Sequence, residues 1–161
     1  MTGAEMKTML LWRAKRHARR GNAQGVIDTL LPLVGEETDD PVVLALYAAA
    51  RFSTGDLPRA IEAYDRTLAA DPSHRVARFQ LGLALASLPE HQAAVAAWAP
   101  LLDDAAEFMA HFHSAQSLLA LERPANAAPL LETARQRMPR EHPLSDELDK
   151  IMALGMVGGH A

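Results

Sequence analysis

The side chains best suited to chemistry in this chain are its seven histidines and the acidic pairs Glu36-Glu37, Asp39-Asp40 and Asp103-Asp104. Imidazoles could ligate a metal or move a proton, and paired carboxylates could hold a cation or share acid–base work. The spacing supports neither. His111 and His113 lie two residues apart on a predicted helix, so they point about 200° apart and cannot grip one ion. No HExxH or His-x3-His pattern is present, and His17, His74, His91, His142 and His160 fall near predicted turns or surfaces. The acidic pairs fall at helix connections or near helix ends, where turn formation and solvation account for them. With no cysteine there is no thiolate ligand, thiol nucleophile or disulfide framework. GxSxG, Walker and GxGxxG patterns are absent, and Gly155, Gly158 and Gly159 do not form a phosphate loop. The expectation is no enzymatic activity, no metal and no cofactor.

The elements around these residues carry more information. Pro41 to His74 reads as a helical run (PVVLALYAAARFS), a break at Thr54-Gly55-Asp56 and a second helical run (LPRAIEAYDRTLAA) that closes on Asp71-Pro72. Arg75 to Phe108 repeats that order, with VARFQLGLALASL, a break at Pro89-Glu90 and QAAVAAWAPLLD. In the Pro41 window, Leu44, Tyr47, Ala48 and Arg51 share one helix face; Ala60, Ile61, Tyr64 and Leu68 share another. Gly55 suits the left-handed position that ends a helix, and Pro72 stops the second helix. A period of this size implies stacked units, none of which buries its apolar face alone.

The pattern resembles the tetratricopeptide repeat, a helix-turn-helix unit of about 34 residues with small residues where its helices cross. The residues carrying the resemblance are Ala48, Ala60, Thr67 and Pro72, then Gly82, Ala94, Leu101 and Ala106, then Ala115, Ala127, Ala134 and Pro139. A more divergent unit precedes them from Lys7, with Ala14, the Gly21-Asn22 turn, Val26 and Leu33. The resemblance implies an all-α fold, a right-handed superhelical stack of helix-turn-helix repeats with a C-terminal capping helix. The expected layout is a single domain over 1–161, with repeats at about 7–40, 41–74, 75–107 and 108–141 and the cap at about 145–157. Pro32 and Pro100 are expected to kink or shorten the second helices of their units, whereas Pro129 falls near a helix start. Ser145 is the expected N-cap of the last helix, with Asp146 and Glu147 in its first turn, and the tail from Gly158 to Ala161 is expected to be disordered.

Composition agrees with a helical stack. Hydrophobic residues make up 49% of the chain but aromatics only 5%, so small side chains must let helices approach closely. No apolar run is long enough for a secretory leader or a transmembrane helix, which makes a cytoplasmic protein the expectation. The net charge of −4 is uneven: residues 1–20 hold six basic side chains against the single acid Glu5. Arg13, Arg16, Arg19 and Arg20 dominate this basic face. It could pair with the chain's own acidic body or meet an external anionic surface; the lack of interleaved aromatics or of a recognition motif speaks against nucleic acid.

In tetratricopeptide arrays the first helix of each unit lines a concave groove. Carried onto this chain, the groove positions are Val42, Ala45, Ala49 and Phe52, then Val76, Phe79, Leu83 and Ala86, then Met109, Phe112, Gln116 and Leu119. The stripe is almost wholly apolar, so the implied function is an adaptor or chaperone holding an apolar segment of another protein. Part of the stripe could instead be covered by the chain's own N-terminal or C-terminal helix. A clamp for a carboxylate tail needs lysine, arginine or asparagine there and is not expected. The later units also look like class II translocator chaperones of bacterial type III secretion, through Arg78-Phe79, Leu81-Gly82, Phe112-His113, Ala115, Leu118-Leu119 and Ala134. That family holds apolar translocator segments and often dimerises. The alternative is a scaffold that self-associates into a homo-oligomer or assembles a multiprotein complex.

Overall fold

Helix starts follow the capping chemistry of the sequence. In the computed structural model, which describes residues 1–35 and 38–157, Thr2 begins α1 (Gly3–Arg19) with a reciprocal cap. Its hydroxyl accepts from the Glu5 N–H at 3.2 Å while the Glu5 carboxylate accepts from the Thr2 N–H at 2.7 Å. Asp40 caps α3 (Pro41–Ser53) by accepting from the Val42 and Val43 N–H groups. Lys7 of α1 donates to the same carboxylate at 2.8 Å, which ties α1 to the start of α3 and holds Asp40 below the usual carboxylate range. Asp56 caps α4 (Leu57–Ala70) and pairs with Arg51 and Arg59.

The remaining helices are α2 (Ala23–Gly35), α5 (Arg75–Ser87), α6 (His91–Trp98), α7 (Phe108–Ala120), α8 (Pro124–Arg137) and α9 (Ser145–Val157). Among the described residues there is no strand, so the all-α expectation holds. The Glu36-Glu37 pair, His160 and the tail Gly158 to Ala161 lie outside the described residues.

The chain divides into two compact units, Met1–Ala84 and Leu85–Ala161, with α5 running across the division. In the first unit α1 packs on α2, α2 on α3 and α3 on α4. Small residues sit at the crossings: Ala14, Ala48, Ala60 and Thr67 are fully buried, and the Thr67 hydroxyl is satisfied by the Ala63 carbonyl at 2.8 Å. At Gly25 the approach is close, because a Cβ there would lie 2.5 Å from the His17 ring. In the second unit α7 packs on α8, and Ala115, Ala127 and Ala134 are buried at their interface with Phe112, Leu118 and Leu131. Larger side chains at these alanines would force the helices apart.

The prolines behave differently from one another. Pro100 shortens α6, which tightens into a 3₁₀ turn over Ala99–Leu101. Helix α2 instead runs through the exposed Pro32 to Gly35. Pro129 is an interior residue of α8, not an early one, because Pro124 already opens that helix. Ser145 does not act as the expected N-cap: it lies inside α9 and its hydroxyl donates to the Arg140 carbonyl at 2.7 Å.

Candidate functional site

Helix α3 has two faces of different fate. Val43, Leu44, Tyr47 and Ala48 are buried, whereas Val42 is 46% exposed, Ala49 is exposed and Ala45 and Phe52 are half-buried. Asp40 and Pro41 set this register by fixing where the helix begins. Its far end is held by Arg51, whose Nε donates to the Tyr47 hydroxyl at 2.9 Å and whose guanidinium lies 5.1 Å from the Tyr47 ring centre. The outward stripe is therefore apolar, presented by a rigid helix. Beside it opens a notch of about 140 Å³, walled by Ala18, Gly21 and Ala23 on one side and Leu46, Ala49 and Ser53 on the other. Such a notch accepts an aliphatic side chain and has no donor array for a carboxylate.

On α5, Val76 is 67% exposed and Phe79 and Leu83 are half-buried. Ala86, beyond the division, is also half-buried.

The α7 positions do not form an open stripe. Phe112 is fully buried in the core of the second unit, and Met109 and Leu119 pack against the same cluster as Leu148, Ile151 and Met152. Gln116 donates to the Glu147 carboxylate of α9 at 2.9 Å, and Phe108 meets the His142 ring edge-on at 5.7 Å between centres. Phe112 is thus a core residue beneath the chain's own C-terminal helix. Spacing along α7 marked an apolar face correctly but could not say what covers it.

The covering is incomplete, and it leaves a feature that sequence reasoning missed. Between α7, α8 and α9 lies an apolar cleft of about 560 Å³ lined by Leu119, Leu131, Ile151, Met152 and Leu154. Its rim carboxylate, Glu132, is held by Arg135 and Gln136 and kept below the usual range by those bonds. Leu154, three residues after Ile151, was the available signal; it is 74% exposed.

The described histidines have structural partners. His111 is buried with Nδ1 2.9 Å from the Glu107 carbonyl. His113 stacks on Trp98 at 5.9 Å and contacts Gln116, and burial lowers its pKa. His91 Nδ1 lies 3.3 Å from the Ser117 hydroxyl. Among the described residues no group of three histidines or carboxylates is placed to hold a metal ion.

The basic face is solvent-exposed. Arg13, Arg16, Arg19 and Arg20 all point into solvent, with the Arg16 guanidinium 5.8 Å from the Trp12 ring centre. Among the described residues, Lys7 alone of the N-terminal cations has an ion pair with the chain's acidic body.

A family model described as tetratricopeptide repeat matches residues 41–84, which hold α3, α4 and most of α5. No curated protein matches the chain. Solved structures of MamA share the fold. A MamA structure from AMB-1 superposes with a TM-score of 0.82 at 20% identity, covering 96% of this chain and 91% of that one. MamA from Desulfovibrio magneticus RS-1 gives 0.75 at 18%, covering 97% and 98%, and a mutant MamA gives 0.85 at 20%, covering 96% and 85%. At such identities the likeness is one of fold. Among the described residues no helix is long and apolar enough to cross a membrane.

Proposed function

We propose that the chain is a non-enzymatic protein-binding module of tetratricopeptide type, which holds an apolar segment of a partner against α3 and α5. The observation that carries this reading is the uncharged outward stripe of Val42, Ala45, Ala49 and Phe52, set beside the notch at Ala49. A branched aliphatic side chain in that notch would anchor the segment, with Phe52 and Phe79 supplying aromatic area. The absence of cysteine suits a reducing compartment, and a cytoplasmic adaptor or chaperone is the role proposed. The type III translocator-chaperone role rests on the sequence resemblance alone, and four of its residues, Phe112, Ala115, Leu118 and Ala134, lie in the core of the second unit.

Ala49→Arg tests the stripe, because Ala49 is exposed and a larger side chain would fill the notch without entering the core. Affinity capture with the natural chain and the variant should lose the same apolar partner in the variant, while helicity and melting stay unchanged. Equal capture by both would reject the groove.

A second reading, self-association as a scaffold, is favoured by α9. This helix exposes Leu154 over an apolar cleft, an apolar surface of the kind that a second copy could cover. Light scattering across a concentration series would show mass rising with concentration, reversed by Leu154→Glu. A constant monomer mass would remove this reading.

A further inference from the structure

Helix α1 presents an outer face that neither reading uses. Its inner side packs through Ala14, which is fully buried, and the half-buried Leu10 and Leu11. Its outer side carries Met6, Met9 and Trp12, which are 43%, 40% and 57% exposed. Large apolar side chains that point at water are informative when they cluster. Beside them stand Arg13, Lys15, Arg16, Arg19 and Arg20, all exposed and none with an ion pair among the described residues. Met9, Trp12 or Arg13, Arg16 and Arg20 follow one another at three- and four-residue steps, which places them along one side of the helix. The only acid in this stretch, Glu5, is turned back onto the Thr2 N–H by the capping box.

From this arrangement we infer that the outer face of α1 docks on an anionic lipid surface, with Trp12 and the methionines at the headgroup–acyl boundary and the arginines on phosphates. Three possible occupants make different demands. A nucleic acid would use the cations but leave Met6 and Met9 exposed to water. A second copy of this chain would need an apolar groove with free acids at its rim. The apolar cleft at α8 and α9 has a rim carboxylate, Glu132, that is already engaged by Arg135 and Gln136. A headgroup layer satisfies both halves of the face, since interfacial helices combine tryptophan and other apolar side chains with a lysine- and arginine-rich flank. Trp12 and Arg16 are suited to that boundary, because the ring has an apolar body and the guanidinium lies 5.8 Å from its centre.

The chain supplies its own probe. It has two tryptophans, and Trp98 is fully buried, so a change in emission on docking reports Trp12. The full chain is mixed with vesicles of phosphatidylcholine alone or with one third phosphatidylglycerol, and followed by emission and by co-sedimentation. Docking predicts a blue shift and co-sedimentation with the anionic vesicles alone, weakening steeply as salt rises. Changing Arg16, Arg19 and Arg20 together to glutamine should weaken binding about a hundredfold. Met9→Ser with Trp12→Ser should also reduce co-sedimentation although every cation remains. Arg137→Gln, on the exposed side of α8, should leave it unchanged, with circular dichroism showing all variants folded. Failure to bind anionic vesicles, equal binding to neutral ones, or full binding by the triple variant would overturn the inference. A blue shift that appears on concentrating the protein without vesicles would overturn it in favour of a second copy. Salt-dependent binding of duplex DNA that survives loss of Met9 and Trp12, with no vesicle binding, would overturn it in favour of nucleic acid.

Discussion

At the scale of single residues, Tyr64 and Ser114 both bury a hydroxyl with no hydrogen-bond partner among the described residues, and Tyr64 is the larger of the two. The Tyr64 ring is almost fully buried in α4. An unpaired buried hydroxyl costs about 1–3 kcal/mol, so deleting it while keeping the ring removes a penalty and opens no cavity. Tyr64→Phe should therefore raise stability by about 1 kcal/mol in urea unfolding at neutral pH. The same burial pushes the phenol pKa from 10.0 to about 12. A group raised in the folded state stabilises fully below its unfolded pKa. As pH climbs from about 10 towards about 12, the unfolded chain ionises first and Tyr64's share of stability is lost. Unfolding curves at neutral and alkaline pH should show a shallower alkaline decline in the phenylalanine variant. An unchanged decline would mean that the phenol reaches water in the folded chain.

At the scale of elements, three helix–helix turns share one hydrogen-bonding scheme. The residue in the left-handed position donates to a carbonyl three residues back, and the next residue donates to one five back. This holds for Gly21 and Asn22 on Ala18 and His17, Gly55 and Asp56 on Phe52 and Arg51, and Glu122 and Arg123 on Leu119 and Leu118. The first two have glycine at φ +68° and +80°, but the third places Glu122 at +58°. A side chain in that region costs about 1–2 kcal/mol, partly offset because glycine frees the unfolded chain. Glu122→Gly should raise stability by about 0.5 kcal/mol, whereas Gly55→Ala should lower it by about 1 kcal/mol. Thermal melts of both variants check this, and opposite signs are the decisive result. These turns also show how the fold was legible. Gly55, Asp56 and Asp40 announce their roles locally, because turn and cap chemistry acts over a few residues. Glu122 gave no local signal, since the packing of α7 on α8 imposes its conformation.

At the scale of the whole molecule, periodic patterning marks which helix faces are apolar but not which apolar face meets which. Val42 and Ala49 face outward, while Phe112 at an equivalent spacing is core. The difference is α9, a helix distant in sequence whose Leu148, Ile151 and Met152 share the cluster around Phe112. No rule of spacing along α7 contains that information. Leu148 is 2% exposed, so its side chain anchors the cap to the second unit. In a stacked helical chain, stability is close to a sum of local units and nearest-neighbour interfaces. Leu148→Ala should therefore cost about 2–5 kcal/mol, concentrated where its methyl groups packed. Amide hydrogen exchange should accelerate in α7, α8 and α9, while α1 to α4, all within Met1–Ala84, keep their protection. Uniform acceleration from α1 to α9 would instead show that the two compact units open together, and that the cap stabilises the chain as one cooperative whole.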